Sequence, residues 1–238
     1  FASNAIGGKS VVKGNYSVAL GQEAKADGSF SSAVGYQAEA NSNHSIAIGT
    51  MAKTFGVDAA ALGDRAEASG LGSLALGRQA KTHSLASQAL AVGVDATAEA
   101  PRSTAIGKDA VVSGAGATDS FAIGNSTRVT GSYGIALGQE AKVGADFSSA
   151  VGYKAEANST RSVAVGMFAK TSGVDAAAFG GRAEASGDES LALGKGAKTD
   201  GRADQALAVG VDASAAGIAS NAIGWNAKTS AQNATALG

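Results

Sequence analysis

Apolar and polar positions along the chain obey one short rule. A five-residue pattern, small–x–Ala–large apolar–Gly, occurs seventeen times, closing on Gly7, Gly21, Gly35, Gly49, Gly63, Gly77, Gly93, Gly107, Gly124, Gly138, Gly152, Gly166, Gly180, Gly194, Gly210, Gly224 and Gly238. Thirteen of the sixteen intervals are 14 residues, two are 16 and one is 17. A fixed period of this kind is the mark of a repeat architecture, in which each unit buries its apolar face only against its neighbours. Fourteen residues are too few for a pair of helices, and within each unit the alternation has period two, which predicts strands. With the motif glycine as position 0, the expectation is one coil per unit. Its first strand should cover −5 to −1 and its second about +2 to +6. Turn dipeptides such as Asp27-Gly28, Ser69-Gly70, Thr130-Gly131, Ser186-Gly187 and Asp200-Gly201 would separate them through left-handed backbone.

The two strands differ in which faces are apolar. In the second, +3 and +5 are small, as in Ala24 and Ala26 or Ala183 and Ala185, whereas +4 alternates in charge: Lys25, Glu39, Lys53, Glu67, Lys81 and, later, Lys142, Glu156, Lys170, Glu184, Lys198. Coils stacked in register about 4.8 Å apart would set each lysine between glutamates on a solvated face. In the first strand −2 is alanine in every copy, −4 is Ser, Ala or Gly, and −1 is always large and apolar. Alanine at −2 is best accommodated inside a coil too narrow for anything larger. The −1 row then points outward: Leu20, Val34, Ile48, Leu62, Leu76, Val92, Ile106, Ile123, Leu137, Val151, Val165, Phe179, Leu193, Val209, Ile223 and Leu237. So long an apolar stripe exceeds what a soluble monomer exposes, so the expectation is an obligate oligomer buried along it, with this row as the subunit interface. At roughly 25 cal/mol per Å² the row is worth on the order of 20 kcal/mol per chain before ordering costs. The alternative arrangement, aliphatics inside and −2 alanines between subunits, also predicts association.

A longer period overlies the short one. YSVALGQEAK at Tyr16 returns as YGIALGQEAK at Tyr133, FSSAVGYQAEANS at Phe30 as FSSAVGYKAEANS at Phe147, and QALAVGVDA at Gln88 recurs unchanged at Gln205, all 117 residues on. This predicts a single repetitive domain over 1–238 made of tandem blocks, about 1–117 and 118–238.

Composition agrees with a narrow interior. Of 238 residues 55 are alanine and 34 glycine, while aromatics make 5%, which leaves no stock for a core of large side chains. At 45% hydrophobic and 16% charged, with a net charge of −1, the chain is too apolar for disorder. It also lacks the positive charge that phosphate backbones require, so no nucleic-acid partner is expected. No apolar run approaches the roughly 18 residues of a spanning helix, so this segment is expected to make no membrane contact. Without cysteine there is no disulfide or thiolate metal site.

The units HSIAIG at His44, RSVAVG at Arg161 and YSVALG at Tyr16 resemble the SVAIG repeat in the head domains of trimeric autotransporter adhesins, the Yersinia adhesin type, and the resemblance covers the whole chain. It implies a left-handed parallel β-roll, a homotrimer of such rolls about a common axis, and a place at the tip of a fibre on the bacterial cell surface, anchored in the outer membrane. The family's fuller pattern, NSVAIGxxS, goes with binding to matrix proteins such as collagen. Here −5 is asparagine only at Asn233 and +3 is usually alanine, so the resemblance bears on fold more than on collagen. Neither heptads nor anchor strands follow Gly238, which suggests a piece cut in phase with its repeats.

Other motifs lead nowhere chemical. Gly7-Gly8-Lys9-Ser10 lacks the first glycine of a P-loop, with Ser3 in its place, and Gly70-Leu71-Gly72 straddles a turn without the strand–turn–helix context of a dinucleotide site. His44 and His83 read as solvated turn residues in different coils, and the Val-Asp-Ala sites at Asp58, Asp95, Asp175 and Asp212 as turn residues. No acid–base pair can be nominated, so neither an enzyme nor a cofactor is expected. The candidate ligand surface consists of the aromatic pairs Tyr16/Phe30 and Tyr133/Phe147 with the charged rows Lys25, Glu39, Lys53, Glu67 and Lys142, Glu156. Longer intervals at Thr82 to Gln88, Ser113 to Asp119 and Thr199 to Gln205 mark exposed insertions. The expected function is a non-enzymatic adhesin head that binds host extracellular-matrix or cell-surface macromolecules through many weak contacts. The alternative is a stiff spacer, about 75 Å long, that projects another binding domain.

Overall fold

The computed structural model describes residues 2–238. It is all β, a parallel β-solenoid of about seventeen coils roughly 14 residues apart. It divides into two compact units, residues 1–125 and 126–238. In the first, among the described residues, nine three-residue strands from Asn4–Ile6 to Phe121–Ile123 alternate with eight two-residue strands from Val11–Val12 to Val111–Val112. In the second, eight two-residue strands from Arg128–Val129 to Lys228–Thr229 alternate with eight three-residue strands from Ile135–Leu137 to Thr235–Leu237. Within each unit equivalent positions of successive coils pair in parallel and in register, as Val18, Ala19 and Leu20 do with Ser32, Ala33 and Val34, or Lys170 and Thr171 with Glu184 and Ala185.

The strands are shorter than the sequence predicts, −3 to −1 and +4 to +5, because −5 and +2 turn corners instead of extending. Among the described residues thirty non-glycine positions adopt φ between 52° and 59°, including Tyr16, Glu23, Phe30 and Gln37. Left-handed backbone costs an L-residue roughly 1–2 kcal/mol. The return is that the corner N–H continues the ladder between coils: Glu23 donates to the Gly8 carbonyl and Phe30 to that of Asn15, both at 2.8 Å. The turn dipeptides therefore need correction. Gly28, Gly70, Gly131 and Gly187 do not have positive φ; they are glycine for lack of room. A Cβ on Gly28 would stand 2.0 Å from the Ser42 carbonyl oxygen, and one on Gly70 2.0 Å from that of Ala86. Gly201, in an insertion, faces open space.

The interior is a zip of small side chains. The −2 alanines such as Ala19, Ala33 and Ala150 are wholly buried, as are Ala24 and Ala26 of the opposite strand, and among the described residues no fully buried side chain exceeds valine in size. The −1 aliphatics point outward, which excludes the arrangement with aliphatics inside. Buried hydroxyls are paired across the coil, Thr54 donating to Ser45 at 2.9 Å and Thr171 to Ser162 at 2.9 Å, as burial of polar groups requires. Gly134 compensates for size, since a Cβ there would meet Val129 Cγ1 at 2.7 Å and Val143 Cγ1 at 3.0 Å. Each insertion ends in a turn closed by a buried alanine: Ala86, Ala117 and Ala203 donate N–H to His83, Gly114 and Asp200 at 2.9–3.0 Å.

Candidate interaction surfaces

Alternation along the first strand turns −3 and −1 to the same outer face. Leu20, Ile48, Leu76, Leu137 and Leu193 are 40–45% exposed, and Val34, Leu62, Val92, Ile106, Ile123, Val151, Val165 and Val209 are half-buried by their stacked neighbours. Phe179 and Ile223 are each 37% exposed and Leu237 75%. The face is wider than the sequence suggests. Ile6 extends the −1 row, and Val18, Ile46, Leu74, Leu90, Phe121, Ile135, Val163, Leu191 and Leu207 form a second row at −3. Ser32, Thr104, Ser149 and Asn221 interrupt that second row, which is why no regular stripe betrayed it.

The second strand presents the charged ladder. Glu39 sits between Lys25 at 3.0 Å and Lys53 at 3.3 Å, and Glu156 between Lys142 at 3.5 Å and Lys170 at 4.0 Å; Glu67 pairs with Lys81 at 3.3 Å. Hydrogen bonding to Glu39 raises the Lys25 pKa. Partial burial pushes the Glu39 carboxyl up, but the hydrogen bonds and charges of Lys25 and Lys53 outweigh it and hold the group below its ordinary value. The lysines at the ends of the first ladder have a single glutamate neighbour, because Val11 precedes Lys25 and Thr97 follows Lys81 in register. Between the +2 and +4 columns runs a shallow groove, seen at equivalent places in both units: Glu23, Lys25, Gln37, Glu39, Met51 and Lys53 in one, Glu140, Lys142, Lys154, Glu156, Phe168 and Lys170 in the other.

The −5 corner carries the aromatic pairs, and stacking in register makes them ladders. Tyr16 and Phe30 have ring centroids 5.2 Å apart, and Tyr133 and Phe147 5.0 Å. The first stack goes on to His44, 5.4 Å from Phe30, whose Nδ1 lies 3.3 Å from Asp58. His44 thus belongs to this ridge instead of standing alone. The second stack is followed by a two-pronged pair, Arg161 Nε and Nη2 to the Asp175 oxygens at 2.6 Å each. The same geometry joins Arg102 to Asp119. Hydrogen bonds from Arg161 and Arg102 hold Asp175 and Asp119 below the usual carboxylate range. Of the Val-Asp-Ala sites, Asp58 and Asp175 occupy the −5 corner, Asp95 and Asp212 the +2 corner, all left-handed.

The model of the YadA head domain repeat matches segments 3–24, 26–52, 56–80, 86–110, 115–141, 145–169, 172–197, 203–227 and 217–238. Among solved structures, the collagen-binding domain of the Yersinia adhesin YadA is similar at 21% identity and a TM-score of 0.28, over 78% of this chain and 69% of that one. A search of curated proteins found no match.

Proposed function

Because the chain belongs to the YadA head domain repeat family, we propose that its adhesin-like role is that of a non-enzymatic head on the bacterial cell surface, binding host matrix or cell-surface macromolecules as a homotrimer. The observation that carries the reading is the division of labour between faces. One face of each coil is a double apolar row, suited to burial between chains. The other faces carry, once in each unit, a ladder of alternating charge and a short aromatic stack, suited to many weak contacts with an extended ligand. Three chains multiply those contacts, so avidity replaces a deep pocket. In this reading Leu20, Leu76, Leu137 and their row neighbours form the trimer interface, while Tyr16, Phe30, Tyr133, Phe147 and the Lys25–Glu39–Lys53 and Lys142–Glu156–Lys170 ladders belong to the ligand side.

Binding of the purified protein to immobilised collagen, fibronectin and laminin tests this. Saturable binding to at least one of them is expected, falling about tenfold or more when Lys25, Lys53, Lys142 and Lys170 are replaced together by serine while the apolar rows are kept. Unchanged adhesion of the full surface fibre carrying the same replacements would favour the spacer reading.

A further inference from the structure

The two sequence blocks supply an internal control for one feature of the surface. Under the 117-residue offset, Thr50, Asp64, Arg65 and Arg78 correspond to Met167, Gly181, Arg182 and Lys195. In the first unit Asp64 supplies a carboxylate beside one of the two cations, its Oδ2 3.9 Å from Arg65 Nη1. In the second unit glycine stands in its place, and a notch of about 350 Å³ opens, lined by Met167, Gly181, Arg182 and Lys195. Both positive charges persist there without the negative one. Among the described residues no carboxylate lies within 4.0 Å of Arg182 or Lys195. Elsewhere in the same unit Lys142, Lys154, Arg161, Lys170 and Lys198 have acidic partners, whereas Arg128, Arg202 and Lys228, like Arg182 and Lys195, have none within 4.0 Å among the described residues; what distinguishes Arg182 and Lys195 is the notch between them. The neighbouring carboxylates are otherwise placed: Glu184 holds Lys198 at 3.0 Å and accepts from Ser186, and Asp212 leans over Gly196 in the next coil.

We propose that this notch is a binding site for the carboxylate of an aspartate or glutamate side chain on a partner protein. In the other unit the Asp64 carboxylate lies beside Arg65, the counterpart of Arg182. Arg182 offers the planar fork that suits a carboxylate, and Lys195 a second donor. Met167, 52% exposed, gives the methylenes of the incoming side chain an apolar wall. Gly181 leaves the space free without needing to be glycine for its backbone, since a Cβ there would meet only the Met167 carbonyl at 3.9 Å. The inference deepens the adhesin reading, and rests on it only for the partner's being a host macromolecule.

The chain has two methionines, one bordering the notch and the other, Met51, bordering Arg65, so labelled methionine methyls report both places at once. Titration of the assembled protein with N-acetyl-hexaglutamate amide is expected to move the Met167 methyl resonance and leave that of Met51 in place. Gly181→Asp, which installs the carboxylate of the first unit at a position with room for it, is expected to weaken this response at least tenfold. Asp64→Gly is expected to confer a response on Met51. A Met167 response that survives Gly181→Asp, or no response in the parent protein, would overturn the site. Tighter binding of a hyaluronate hexasaccharide than of the peptide would overturn the choice of ligand. Because the peptide is added directly, this outcome does not depend on whether the protein adheres to matrix.

Discussion

At the scale of single residues, the most constrained position is the motif glycine. Gly49 has φ +133°, and a Cβ on it would lie 2.4 Å from the carbonyl oxygen of Gly63, which stands in the same relation to Gly77. Both the backbone conformation and the space exclude any side chain, and the column recurs through each unit. Gly49→Ala is therefore expected to destabilise the fold by about 3 kcal/mol or more, seen as a lower denaturant midpoint. An unchanged midpoint would mean that the coils are not stacked this closely. The glycine and alanine columns were plain in the sequence because sterics leave them one choice each. The corners were not: left-handed backbone is expected of Gly, Asn and Asp, but Phe30, Met51 and Phe168 adopt it, held by hydrogen bonds between coils that no local pattern announces.

At the scale of the strand and its neighbours, what matters is what stacking does to equivalent residues. A row that alternates in sign becomes a ladder, and a repeated aromatic becomes a stack. The ladder around Glu39 could be read in advance from alternation at +4. The extension of the Tyr16–Phe30 stack to His44, and the second apolar row at −3, were visible only once strand ends and side-chain directions were fixed. The carboxylates in these pairs also set a pH dependence. Glu39, Asp119 and Asp175 titrate below their ordinary values of 4.5 and 3.8, so the unfolded chain binds more protons in acid than the folded one. Their contribution is complete above the ordinary carboxylate range and is lost as pH falls through the lower folded values. Melting temperature is expected to drop as pH is lowered from 5 to about 3, and to drop less steeply in Asp175→Asn. An equal slope in the variant would show that the Arg161 pair contributes nothing to stability.

For the whole molecule, the question is what covers the outer apolar face. The interior consists of alanine, serine, threonine and a few valines, so each chain keeps its largest aliphatic side chains on its outside. That inversion, small residues within and large ones without, makes sense if the outer rows form a second core shared between chains. The repeat, the coil and the outward −1 row could all be argued from spacing and residue size. The notch at Gly181 could not, because a single missing side chain acquires meaning only beside Asp64 and the two unpaired cations. The molar mass of the purified protein, by light scattering or sedimentation equilibrium, tests the shared core most directly. With a chain of 23.0 kDa, the account predicts a single species at about 69 kDa, three chains, over a wide range of concentration. A stable, folded monomer at the mass of one chain would contradict it.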